Sequence, residues 1–183
     1  KAKDTARKTA YTVEAISPAA GMWVGINQTT ANRYVEFFLE NNRLSRMVTV
    51  KKLRREVRLN RSKIDFLIND NCFLEVKTPL RHLPFGSRKG AGFNSFERLS
   101  RHFQEISARI RKGQRAIVVL CYLYDAKRFE IPEKPNAEVV RTLKKAAGKG
   151  LETWQVNLAI DAEGVSLTNY FELELFNKRN ARA

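Results

Sequence analysis

Apolar residues recur along this chain with two periods, and the switching between them predicts a mixed α/β fold. Short strands are expected at Tyr11 to Ile16 and Met22 to Ile26, separated by the turn cluster Ser17 to Gly21. Ala31, Tyr34, Val35, Phe38 and Leu39 then form a helical stripe, capped by Thr30 and ending near Asn41-Asn42, with Glu36 beside the stripe. Leu53 to Leu59 alternates. Leu53, Val57 and Leu59 are expected on one side, and Arg54, Glu56 and Arg58 on the other. Two strands follow, Ser62 to Ile68 and Cys72 to Lys77, joined by Asn69-Asp70-Asn71. Asn and Asp suit the left-handed position that a three-residue hairpin loop demands.

The second half continues the alternation of strand and helix. A glycine-rich basic loop spans Pro79 to Phe93 and does not match a Walker spacing. A helix is expected from Asn94, with Glu97 as capping partner, a buried stripe of Phe96, Leu99, Phe103, Ile106 and Ile110, and Gly113 as its stop. Ala116 to Leu123 is continuously apolar, as in a strand covered on both faces. Strand, helix and strand make a βαβ unit, so 72–77 and 115–124 should run parallel. After Pro132 and Pro135 comes a helix from about Ala137 to Ala147, then a hairpin of Thr153 to Ile160 with Val165 to Leu175.

Strand parity carries the candidate chemistry. If 69–71 is the loop, Ile68 pairs with Cys72, and Asp65 falls directly opposite Glu75 with Lys77 on the same side. Opposed β-carbons lie roughly 4.5–5.5 Å apart, and two carboxylates there repel unless a cation intervenes or one is protonated. A hard cation such as Mg²⁺ or Mn²⁺ suits that pair, so Asp65 and Glu75 are the candidate metal ligands. Lys77 could orient a water or stabilise phosphorane charge. Glu36 is a candidate further carboxylate from the first helix. The competing reading is an ordinary surface pairing of Glu and Lys on a strand.

Charge changes the picture. The 183 residues carry 34 Lys and Arg against 19 Asp and Glu, a net of +15. Nearly all of the excess lies in residues 1–124, and residues 125–175 are slightly acidic. That asymmetry points to a polyanionic partner. The candidate phosphate contacts are Arg54, Arg55, Arg58, Arg61 and Lys63, the loop residues Arg88 and Lys89, and Arg98, Arg101 and His102 of the second helix. No base-reading pattern accompanies them. No run approaches the roughly 18–20 apolar residues of a membrane span, and no signal peptide pattern opens the chain. Because the first residue is Lys1, the natural start is expected to lie upstream. Cys72 and Cys121 sit in apolar runs, so reduced thiols and a cytoplasmic location are expected. With two Cys, two His and no CxxC, a structural zinc site is not expected.

The chain resembles the sugar fermentation stimulation protein (SfsA) family. The resemblance rests on Arg7 to Thr12, Trp23 to Asn27, Ala31-Asn32-Arg33, Ser62 to Leu67, Leu74-Glu75-Val76-Lys77, and Arg98 with Arg101-His102-Phe103, in order over nearly the whole chain. It implies a PD-(D/E)xK, restriction-endonuclease-like domain at 28–183, preceded at 1–27 by the remnant of an OB-like barrel. It matches Asp65, Glu75 and Lys77 to that motif, and Glu36 to a helix carboxylate. It also implies DNA binding without sequence preference, a link to sugar metabolism and nuclease activity. Two departures stand out: the 79–93 segment differs from the family's short loop, and little barrel precedes residue 27. The expectation is a DNA-binding, Mg²⁺- or Mn²⁺-dependent nuclease. A non-enzymatic DNA-binding regulator and an RNA-directed nuclease are the alternatives, and a homodimer is a further expectation.

Overall fold

The computed structural model describes residues 11–59, 62–79, 106–108, 113–130 and 137–175. Its centre is a six-stranded mixed sheet in the order β3(Leu53–Leu59), β4(Ser62–Ile68), β5(Cys72–Lys77), β6(Arg115–Tyr122), β7(Leu151–Ile160) and β8(Val165–Glu172). The β5–β6 and β6–β7 pairs are parallel and the outer pairs antiparallel. Helix α1(Ala31–Glu40) packs on one face, where Val35, Phe38 and Leu39 meet Phe66, Ile68, Leu74 and Val76. Helix α2(Ala137–Gly148) packs on the other, where Leu143, Ala146 and Ile106 meet Phe73, Val118 and Leu120. Both faces of β6 are therefore covered, as its unbroken apolar run requires. Among the described residues, no helix is long and apolar enough to cross a membrane.

The 69–71 loop follows the sequence reading. Ile68 pairs with Cys72, and Asn69 and Asp70 take φ of 51° and 61°. Asn69 also fixes the loop from outside, its Oδ1 accepting from the Lys51 and Lys52 amides at 2.9 and 3.1 Å.

Three expectations are corrected. The first strand is β1(Ala15–Ala19), not Tyr11 to Ile16, because the turn to β2(Met22–Gly25) needs only Ala20 and Gly21, with Gly21 at φ 73°. Pro18 lies in β1, within the stretch where the β1–β2 register shifts; an edge irregularity tolerates its missing N–H. Thr30 is not a side-chain cap. Its hydroxyl donates to the Asn27 carbonyl at 2.8 Å, and Asn27 Oδ1 takes the Thr29 amide of a short 3-10 turn, Gln28–Thr30, that leads into α1.

The third correction concerns β3. Leu53 and Val57 have the same parity, yet Leu53 packs with the α1-side core and Val57 with the α2-side core. In β4, Ile64 and Phe66 are likewise split between the two faces. The flip coincides with Glu56, at φ 49°, and with Asp65, which lies opposite it by register. A non-glycine residue in the left-handed region within a strand is a strained feature, and such features cluster at functional sites.

The 15–25 hairpin is docked on the end of the sheet, the Gly25 amide donating to the Leu123 carbonyl at 2.9 Å. A β-carbon on Gly25 would lie 2.5 Å from Leu123 Cβ and 2.5 Å from Ile160 Cδ1. The Ile160 methyl can turn away, but Leu123 Cβ is fixed to the backbone. Gly25→Ala is expected to lower stability by about 1–3 kcal/mol, measured by urea denaturation. Cys72 and Cys121 are buried and free, and burial pushes their thiols up to about 11 and about 12. Both should resist thiol reagents at pH 8 until the chain is unfolded.

Candidate metal centre

The carboxylate pair sits where the β4–β5 ladder stops. Backbone pairing runs from Ile68/Cys72 to Phe66/Leu74 and ends one step before Asp65/Glu75. Beyond that point each carboxylate takes a main-chain donor from the opposite strand. The Asp65 amide donates to Glu75 Oε2 at 3.3 Å, and the Val76 amide donates to Asp65 Oδ2 at 2.8 Å. A regular ladder would hold both carboxylates on one face with nothing between them. Opening the ladder supplies each with an N–H instead.

Two further side chains complete the cluster. Lys77 Nζ donates to Glu75 Oε1 at 2.5 Å. Asn32, in the first turn of α1, donates through Nδ2 to Asp65 Oδ1 at 2.8 Å. The start of α1 is anchored beside the end of β5 by Gln28, whose Nε2 donates to the Thr78 carbonyl at 2.9 Å. Glu75 is 5% exposed. Asn32, Asp65 and Lys77 are partly exposed, the Lys77 side chain 27% accessible.

Electrostatics leave this cluster one positive charge short. Burial, then the nearby Glu75 charge, raise the Asp65 pKa above the ordinary aspartate value, although the Val76 amide, Lys77 and Asn32 pull it down. The folded chain therefore holds a proton at this pair more tightly than the unfolded chain does. Stability from this source is fully present below the ordinary aspartate value and is lost as pH rises through the raised one. In EDTA, the stability advantage of wild type over Asp65→Ala should grow as pH falls from neutral into the ordinary aspartate range, as read by urea denaturation. A constant or shrinking advantage would contradict the assignment.

The donor set suits a hard divalent cation. Each Asp65 oxygen accepts one hydrogen bond and keeps a lone-pair direction for a second partner. Two facing carboxylates with a single ammonium attract such an ion electrostatically. The donors would be Asp65 and Glu75.

Glu36 is not brought into the cluster. Its carboxylate is held by Arg55 Nη1 at 3.0 Å, and among the described residues no three His, Cys, Asp or Glu side chains converge to hold a metal. The α1 residue that does reach Asp65 is Asn32, one turn earlier and on the same side of the helix. Sequence reasoning missed its role. The available signal was a polar residue four positions before Glu36, beside the apolar stripe.

The candidate phosphate contacts differ in how they are engaged. Arg54 and Lys52 pair with Asp70, and Lys63 with Glu56, all exposed. Arg55 is occupied by Glu36. Arg58 is exposed and unpaired among the described residues. Surface pairs of this kind contribute little and are easily exchanged for phosphate. Arg61, Arg88, Lys89, Arg98, Arg101 and His102 lie outside the described residues, as do the loop expected at Pro79 to Phe93 beyond Pro79 and the helix expected from Asn94 except at 106–108.

Comparison with known proteins extends this picture. The family profile described as "Sugar fermentation stimulation protein RE domain" matches residues 29–164. A sugar fermentation stimulation protein homolog of a Synechococcus strain is 31% identical over 166 residues, covering 88% of this chain and 68% of that protein. The homolog of Alkalilimnicola ehrlichii is 31% identical over 175 residues, covering 88% and 71%. Among solved structures, Pyrococcus furiosus SfsA in complex with Ca²⁺ superposes with a TM-score of 0.70 at 22% identity, covering 94% of this chain and 74% of that one. The profile match spans most of the chain and includes every residue of the carboxylate cluster, so this chain belongs to the sugar fermentation stimulation protein family.

Proposed function

We propose that this chain binds DNA with little sequence preference and hydrolyses its phosphodiester bonds with Mg²⁺ or Mn²⁺, on a restriction-endonuclease-like fold. The observation that carries the reading is the opened ladder: Asp65 and Glu75 face each other across two strands, with Lys77 on Glu75. The complex of Pyrococcus furiosus SfsA with Ca²⁺ supports a divalent ion in a relative of the same fold. The net charge of +15 supports a polyanionic substrate.

In this reading Asp65 and Glu75 hold the ion. When bound, it would polarise a phosphoryl oxygen and lower the pKa of a coordinated water. Asn32 and the Val76 amide fix the Asp65 carboxylate, so little reorganisation is needed to present it. Lys77, partly exposed, would stabilise charge developing on the scissile phosphate. Arg54, Arg58 and Lys63 of β3 and β4 give phosphate contacts without base readout. The 15–25 hairpin is read as the remnant of an OB-like barrel, and the location as cytoplasmic. The link to sugar fermentation comes from the family.

A second reading is a DNA-binding regulator without catalysis. It is favoured by the engagement of Glu36 with Arg55, which leaves two carboxylates at the centre rather than three. The two readings separate in one assay. Supercoiled plasmid, single-stranded DNA and single-stranded RNA are incubated with Mg²⁺ or Mn²⁺ and wild type, Asp65→Ala or Lys77→Ala. Metal-dependent cleavage lost in both variants is the expected result. Cleavage by neither metal above the Lys77→Ala background, with salt-sensitive DNA binding that survives Asp65→Ala, would favour the regulator.

A further inference from the structure

The α2 side of the sheet carries a cavity that shares no residue with the carboxylate cluster. It encloses about 530 Å³, and its lining includes Ser107, Glu138, Arg141, Thr142, Lys145 and Lys149. Arg141, Lys145 and Lys149 recur every four residues, so they follow one side of α2 and its end. All three are exposed, and none has a hydrogen-bonding or ionic partner among the described residues. Ser107 and Thr142, 6% and 7% exposed, belong to the same lining.

A solvated basic helix face would present such residues on a convex surface. Here they line a concavity, where low-dielectric walls focus the field of three cations opposed by the Glu138 carboxylate. The volume lies within the roughly 300–1,000 Å³ of small-ligand sites. Cationic and hydroxyl lining disfavours an apolar occupant, and the cations outnumber what one monovalent anion would need. We propose that this cavity binds phosphate groups, two at adjacent positions, from a free polyphosphate or from a nucleic-acid backbone. Arg141, Lys145 and Lys149 supply the charge.

This site is independent of the metal reading, so it is tested on wild-type chain in EDTA. ¹⁵N-labelled protein is titrated by NMR with inorganic pyrophosphate in one arm and a single-stranded thymidine oligonucleotide in the other. Saturable shifts at the Thr142, Lys145 and Lys149 amides are expected in at least one arm, and the responding arm identifies the source of the phosphate. R141E/K145E should weaken that binding at least tenfold. K144E reverses a neighbouring exposed charge outside the cavity and should change it less than twofold. K149E provides a second charge reversal should the double variant fail to fold. The absence of shifts in both arms overturns the proposal, as does a K144E effect equal to that of R141E/K145E or of K149E.

Discussion

Replacing Lys77 with Met is expected to lower metal-dependent phosphodiester cleavage by about 10²–10³-fold, the loss usual for one preorganised charge-stabilising donor. Met keeps most of the stem and removes the charge. The variant also takes the ammonium away from Glu75, a carboxylate only 5% exposed. In EDTA the chain should therefore lose about 1–3 kcal/mol of stability, the cost of taking the charged donor from a buried carboxylate that keeps the Asp65 amide. Saturating Mn²⁺ should restore part of that loss, because the ion supplies the missing positive charge. Metal affinity should stay level or increase, since Lys77 competes with the ion for Glu75. Single-turnover cleavage of an end-labelled oligonucleotide, beside Mn²⁺-dependent melting, reads both effects. A cleavage rate within threefold of wild type would remove Lys77 from the chemistry.

The largest stability effect outside the metal centre is expected at Gln155. This β7 residue is fully buried and pins the segment that leaves β6. Its Oε1 accepts from the Phe129 amide at 2.7 Å, and its Nε2 donates to the Lys127 carbonyl at 3.0 Å and to Asn157 Oδ1 at 2.9 Å. Asn157, also fully buried, donates to the Ala126 carbonyl at 2.5 Å. The pair thereby satisfies backbone groups of the segment after β6 that no longer pair within the sheet. Gln155→Leu preserves volume and removes these partners from the buried Phe129 amide and the part-buried Lys127 carbonyl. Each costs about 1–3 kcal/mol, so a total of about 3 kcal/mol is expected in urea denaturation. A loss below about 1 kcal/mol would mean that water replaces the amide and that the segment is not held by it.

The frame of the fold was legible because its signals are local. The apolar run of β6 announces burial on both faces, and the order of strand, helix and strand fixes the parallel pairing with β5. Asn69-Asp70-Asn71 sets the β4–β5 register, and with it the opposition of Asp65 to Glu75. The irregularities that give the site its geometry were not legible. Alternation assumes a regular strand, and nothing in Arg55-Glu56-Val57 signals that Glu56 takes a positive φ and sends Leu53 and Val57 to opposite faces. The same limit hid the end of the β4–β5 ladder, because two opposed carboxylates read alike whether they face solvent or accept amides. Asn32 and Glu36 share a side of α1, and charge favoured Glu36 as the site residue. Tertiary packing gave Glu36 to Arg55 and Asn32 to Asp65, which no local pattern encodes.

The central claim is that Asp65 and Glu75 form one divalent-cation site. Titration of Mn²⁺, with free ion followed by electron paramagnetic resonance, tests it without requiring catalysis. One saturable site per wild-type chain is predicted. Asp65→Ala should abolish it or weaken it at least tenfold, and Lys77→Met should retain it. Mn²⁺ binding that is absent in wild type, or that is unchanged in Asp65→Ala, would contradict the claim.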